Sequence, residues 1–110
     1  SVIALGLNHQ TASLDLRGRM AFAPEQLPPA LQALRQRFAG DGAAPEAAIV
    51  STCNRTELYL AVDLPAERPA ELVAPAVDWL AGNSGVSRNQ VQQHSYVLEG
   101  HDAARHAFRV

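Results

Sequence analysis

Nine consecutive residues, Ser51-Thr52-Cys53-Asn54-Arg55-Thr56-Glu57-Leu58-Tyr59, carry the densest chemistry in this 110-residue chain. They include its single cysteine, set among hydroxyls, an amide, a guanidinium and a carboxylate. A cation next to a thiol favours the thiolate, the form that attacks carbonyl carbon. In an extended segment residues two apart share a face, so the spacing predicts Cys53 and Arg55 on one side. A free cysteine more often packs than reacts. Against packing stands the company of Asn54, Arg55 and Glu57, which a structural cysteine has little use for. A nucleophilic thiol works with a base, and His106, on the last predicted helix, is the strongest partner among the four histidines. The same residue also reads as an ordinary histidine at a helix boundary. His9 and Glu57 are lesser candidates.

Other chemistries find no footing. None of the seven glycines forms a G-x-G-x-x-G phosphate loop. The histidines and the cysteine do not fall at zinc-ligand spacings, so no metal is expected. There is no G-x-S-x-G elbow. The net charge is -2 and there is no lysine, so a strongly basic nucleic-acid footprint is missing. A single cysteine excludes an internal disulfide framework and fits a reducing compartment. The apolar run Val2 to Leu7 is too short to span a membrane and lacks the pattern of a secretory leader, which makes the cytoplasm the default location.

The elements that must position the cysteine follow from periodicity. Val2 to Asn8 reads as a strand with Ile3, Leu5 and Leu7 on one face and the small Ala4 and Gly6 on the other, as if something packs closely there. Leu14 to Met20 alternates charges and reads as a solvated segment. Leu27, Leu31, Leu34 and Phe38 form a helical stripe in 24–38, with Pro28 and Pro29 confined to its first turn and Gly40-Asp41-Gly42 as its stop. Ala47 to Val62 is a hairpin whose turn holds the polar cluster. A proline-rich connection from Pro65 to Pro69 leads to a second helix over about 70–81, striped by Leu72, Ala76, Trp79 and Leu80 and ended by Gly82 to Gly85. Trp79 is predicted as a core anchor. Gln92 to Leu98 reads as the last strand, with His94, Tyr96 and Leu98 on one face. The order βαββαβ predicts an α+β, ferredoxin-like domain: a four-stranded antiparallel sheet with two helices on one face. After it, 101–110 begins another helix with Ala103, Ala104, Ala107 and Phe108 on one side. That helix breaks off without a terminator, which predicts a fragment of a longer chain.

Three stretches together resemble one family. Ser51 to Tyr59 is similar to the signature of glutamyl-tRNA reductases. Leu5-Gly6-Leu7-Asn8-His9-Gln10-Thr11-Ala12 resembles the family's opening G-[IL]-N-H-[KR]-T-A. Ala103-Ala104-Arg105-His106-Ala107-Phe108-Arg109-Val110 resembles its A-V-x-H-L-F-R-V segment. The resemblance covers the whole chain, in order. It implies that residues 1–110 are the N-terminal catalytic domain, with the NADPH-binding and dimerisation domains outside this chain. It further implies that Cys53 attacks the activated carbonyl of glutamyl-tRNA(Glu) to give a thioester. NADPH then reduces that thioester to glutamate-1-semialdehyde, at the start of tetrapyrrole synthesis. By position, Thr52, Asn54 and Arg55 line the glutamate site and His106 is the active-site histidine. The resemblance also brings a cytoplasmic homodimer in the full-length enzyme and a possible partner in the downstream glutamate-1-semialdehyde aminomutase. Departures are Ser13 for a usual proline, Gly18 for glutamate, and Ala23 for the serine that caps the first helix. That lost cap costs about 1 kcal/mol. The rivals are a ferredoxin-like binding or regulatory module with a packed, inert cysteine, and a thiol acyltransfer enzyme acting on another activated carboxylate.

Overall fold

The computed structural model describes residues 2–39, 45–62 and 68–108. Strand β1 (Val2–Asn8) is followed by helices α1 (Leu14–Met20) and α2 (Leu27–Arg37), then by strands β2 (Glu46–Ser51) and β3 (Arg55–Ala61). Helices α3 (Val73–Ser84) and α4 (Arg88–His94), strand β4 (Tyr96–Glu99) and helix α5 (His101–Phe108) complete the domain. The strands form one antiparallel sheet in the order β2-β3-β1-β4. The ferredoxin-like expectation holds, with β1 and β3 at the centre.

Strand alternation divides the sheet into two unlike faces. Ile3, Leu5 and Leu7 of β1 and Leu58 and Leu60 of β3 are buried in one core with Ala30 and Leu34 of α2 and Ala76, Val77 and Leu80 of α3. Fully burying a leucine of this kind contributes roughly 1.5–3 kcal/mol, so this layer dominates the stability. The opposite face carries Ala4 and Gly6 of β1, Arg55, Glu57 and Tyr59 of β3 and Tyr96 of β4, with Gly6 paired to Glu57 on one side and Tyr96 on the other. Helix α5 lies over this second face, where Ala103 is fully buried. The small residues of β1 do serve a close approach.

Two helices stand where the sequence predicts none. Leu14 to Met20 is helical because the Ser13 hydroxyl accepts a hydrogen bond from the Leu16 N–H (3.2 Å) and Leu16 and Met20, four apart, reach the core. Asp15 and Arg19 do face solvent, paired at 3.2 Å, whereas Arg17 is half-buried and its Nε has no hydrogen-bond partner among the described residues. The predicted last strand is half helix: 88–94 forms α4, capped by Ser87 and anchored by buried Val91, and only Tyr96–Glu99 is extended. His94 therefore shares no strand face with Tyr96 and Leu98; its Nδ1 lies 3.2 Å from the Thr11 carbonyl oxygen.

The other helices are close to expectation. Helix α2 starts at Leu27 with Pro28 and Pro29 in its first turn, after a 3-10 turn at Pro24–Gln26. Ala23 offers no capping side chain, although Gln26 Oε1 accepts from the Ala23 N–H at 2.8 Å. A 3-10 turn at Pro69–Leu72 opens α3, which runs past the predicted end and stops at Gly85 in the left-handed region (φ 72°). There a glycine avoids the strain that a side chain would bring. Trp79 is partly buried and stacks on Phe22, with ring centroids 6.1 Å apart. In α5, Ala103 is buried but Ala104 and Ala107 are exposed, so among the described side chains of the expected apolar stripe only Ala103 packs inward. The predicted stop at Gly40-Asp41-Gly42, most of the Pro65 to Pro69 connection and the Phe108 side chain lie outside the described residues.

Candidate functional site

The hairpin turn is built by Thr52. Its backbone N–H donates to the Arg55 carbonyl (2.8 Å), and its hydroxyl accepts from the N–H groups of Asn54 and Arg55, both at 3.2 Å. A threonine hydroxyl that accepts from backbone just ahead of it locks a tight bend. Cys53 sits inside that bend, exposed to solvent, with Asn54 exposed beside it. The alternation expected of a strand does not reach Cys53, because extended backbone resumes only at Arg55. Exposure shows that Cys53 is not packed, contrary to the rival reading. It equally means that the thiol has no hydrogen-bond or ion-pair partner among the described residues.

Beyond the turn, β3 presents Arg55, Glu57 and Tyr59 on one face. Glu57 is completely buried, the central acceptor of a polar cluster. Its Oε1 accepts from the Tyr59 hydroxyl at 2.9 Å and lies 3.4 Å from Arg55 Nε. Its Oε2 accepts from the Tyr96 hydroxyl and lies 2.5 Å from His106 Nε2. Arg55 Nε is buried and lacks hydrogen-bond alignment with Oε1, so that contact is an ion pair by proximity alone. A buried charge is tolerable only when paired and hydrogen-bonded, and here three hydrogen bonds and a guanidinium meet that need.

The ionisation states follow from this geometry. Burial raises the Glu57 pKa, but hydrogen bonds from Tyr96, Tyr59 and His106, with the charge of His106, outweigh it and bring the carboxyl below its ordinary 4.5. Both phenols move the other way. Burial first, then the hydrogen bond to Glu57 and its negative charge, push Tyr59 and Tyr96 well above the ordinary 10.0. At neutral pH Glu57 is a carboxylate and both tyrosines are donors. The His106 ring meets Tyr96 edge-on (centroids 5.9 Å, 69°), and its side chain keeps 32% of its exposure. It borders a shallow cleft of about 190 Å³ with Leu98, Asp102 and Arg105.

Of the sequence-predicted residues, the fold brings Arg55, Glu57 and His106 together. Thr52, Cys53 and Asn54 form the adjoining turn, with no hydrogen bond or ion pair to His106 among the described residues. His9 is exposed just past Asn8, which pairs with Arg55, so it sits at the same end of the sheet but outside the cluster. Tyr59 and Tyr96 are members that the sequence reading misses. The period-two alternation of β3 is enough to place Tyr59 with Glu57, whereas Tyr96 comes from 39 residues away. Among the described residues no group of three His, Cys, Asp or Glu side chains is arranged to hold a metal, and no helix is long and apolar enough to cross a membrane.

Fold and site define an α+β domain that displays a thiol on a sheet-end turn and a partly exposed imidazole held by a buried carboxylate. Residues 5–110 match the family model described as glutamyl-tRNA(Glu) reductase, N-terminal domain, and the chain belongs to that family. It is 51% identical over its whole length to the glutamyl-tRNA reductase of Polaromonas naphthalenivorans and 50% identical to that of Albidiferax ferrireducens. In each case the chain spans 24% of the relative's length. A solved structure of glutamyl-tRNA reductase from Methanopyrus kandleri matches 99% of this chain and 21% of its own, with TM-score 0.61 at 21% identity, a likeness of fold.

Proposed function

We propose that residues 1–110 are the glutamate-accepting domain of an NADPH-dependent glutamyl-tRNA reductase, with Cys53 as its nucleophile. The observation that carries this reading is the exposed thiol at the apex of a turn fixed by Thr52, in a chain of this family. The Cys53 thiolate adds to the ester carbonyl of glutamyl-tRNA(Glu); the carbon–oxygen bond to the tRNA then breaks. The leaving oxygen takes a proton, and glutamate remains as a thioester on Cys53. Exposure suits this step, because the acceptor end of a large substrate must reach the sulfur.

Arg55 supports selection of glutamate. Among the described residues its one ion pair runs through Nε, which leaves the two terminal nitrogens to clamp a carboxylate side by side. Asn54, exposed next to the thiol, is placed to hydrogen-bond the substrate's polar groups. His106 supplies or accepts the proton that accompanies acyl transfer.

The residues present do not fit a dinucleotide. No glycine-rich phosphate loop occurs in the sequence, and no step through NADPH is derived for this chain. NADPH supplies the hydride that takes the thioester to glutamate-1-semialdehyde, for tetrapyrrole synthesis, and the residues that hold it belong to sequence outside this domain. A cytoplasmic homodimer and transfer to the downstream aminomutase complete the proposal, on the family resemblance. The test is steady-state turnover of the full-length protein carrying this domain. Cys53→Ser should abolish semialdehyde formation from glutamyl-tRNA(Glu) and NADPH, and Arg55→Lys should raise KM far more than it lowers kcat. Turnover that survives Cys53→Ser would defeat the proposal.

A further inference from the structure

Glu57 is fully buried, yet it lies beside the partly exposed guanidinium of Arg55 and directly against the imidazole of His106. A buried carboxylate is expensive to keep, and an apolar side chain of similar volume would fill the same space without that cost. Its contacts are divided: Oε1 serves the β3 side, through Tyr59 and Arg55, and Oε2 serves the far side, through Tyr96 and His106. With a guanidinium and two phenol donors converging on it, Glu57 is an acceptor at both oxygens. Whatever faces Oε2 at 2.5 Å must therefore bring a hydrogen, and the facing atom is His106 Nε2.

We propose that Glu57 is a positioning residue that holds His106 as the Nε2–H tautomer, so that Nδ1 is the nitrogen that exchanges a proton during acyl transfer. The proposal rests on the glutamate-accepting reading for the use of Nδ1; the proton on Nε2 itself follows from the contact. Tyr96 reinforces the arrangement twice. Its hydroxyl occupies Oε2 alongside His106, and its ring packs against the edge of the imidazole, which fixes the ring plane. In the neutral ring a proton on Nε2 leaves a lone pair on Nδ1, and the two nitrogens cannot exchange roles while Glu57 stays ionised. Gly6 makes room for this pair, since a Cβ there would fall 2.8 Å from both Glu57 Cγ and Tyr96 Oη.

The test combines a spectroscopic and a kinetic measurement. Nitrogen NMR of the histidine-labelled chain, recorded at a pH where the His106 ring carries a single proton, should show that proton on Nε2. The signal is assigned by its loss in His106→Gln. A proton on Nδ1, or an even mixture, would overturn the proposal without any variant of Glu57. In the full-length protein, Glu57→Gln should let the two tautomers mix and slow thioester formation by about tenfold or more. Replacing an orienting carboxylate by its amide costs at least that in a serine hydrolase triad. Alkylation of Cys53 by iodoacetamide should stay at the parent rate, because the turn is built by Thr52. Unchanged thioester formation alongside mixed tautomers would refute the positioning role. Absence of any Cys53 adduct on the parent protein would overturn the underlying reading, and with it this use of Nδ1, whatever the tautomer.

Discussion

Replacing Gly6 with alanine puts a methyl carbon 2.8 Å from Glu57 Cγ, 2.8 Å from Tyr96 Oη and 2.9 Å from Tyr96 Cζ. Neither neighbour is the free end of a flexible chain. The tyrosine hydroxyl is bonded to Glu57, and Glu57 is bonded in turn to Tyr59 and His106. Overpacking a buried site costs about 1–3 kcal/mol, and pinned neighbours put this case near the top of that range. Alanine regains about 0.5–1 kcal/mol over glycine within a strand. The net expectation is a loss of roughly 2 kcal/mol. At about 2.1 cal/mol/K of unfolding entropy per residue, 110 residues convert that loss to a Tm lower by roughly 8–9 °C. The assay is thermal unfolding by circular dichroism, with Gly18→Ala alongside. Gly18 lies on the exposed side of helix α1, and an added methyl there would meet nothing within 4 Å, so alanine should raise stability by up to about 1 kcal/mol. A Gly6→Ala protein within about 2 °C of its parent (roughly 0.5 kcal/mol) would refute the close packing of Glu57 and Tyr96 over β1.

Stability should also fall at both ends of the pH scale. The depressed Glu57 pKa contributes stability above the ordinary 4.5 that is lost as pH drops through its folded value, while the raised phenol pKa values of Tyr59 and Tyr96 contribute below 10.0 and are lost as pH rises past it. Urea titrations across pH should show both slopes, and Tyr59→Phe with Tyr96→Phe should flatten the alkaline one. Among the caps, Ser13→Ala should cost about 1 kcal/mol by freeing the Leu16 N–H. Ala23→Ser, at a helix start with no side-chain cap, should gain a similar amount, read as shifts in the urea midpoint.

How far the sequence reveals this domain depends on the range of the interactions involved. Strand β1, the hairpin and helices α2 and α3 are legible because alternation and three-to-four spacing are local signals. Helices α1 and α4 are not, because each is a seven-residue element held by one serine cap and one or two core anchors. The turn's position is visible in the polar cluster. The exposure of Cys53 is not, since it depends on Thr52 closing the bend and ending the alternation early. The partners of Glu57 divide the same way. Tyr59 lies two residues along the strand, but Tyr96 and His106 arrive from 39 and 49 residues away through sheet order and the return of α5. Ala4 and Gly6 betray that return in advance, as small residues on a strand face otherwise free to carry larger ones.

The most direct test of the central claim is the intact mass of the protein after mixing with glutamyl-tRNA(Glu) in the absence of NADPH. The expected result is one glutamyl adduct that hydroxylamine removes and that Cys53→Ser fails to form. An adduct that survives hydroxylamine, forms equally on Cys53→Ser, or never appears on the full-length protein would contradict Cys53 as the acyl acceptor.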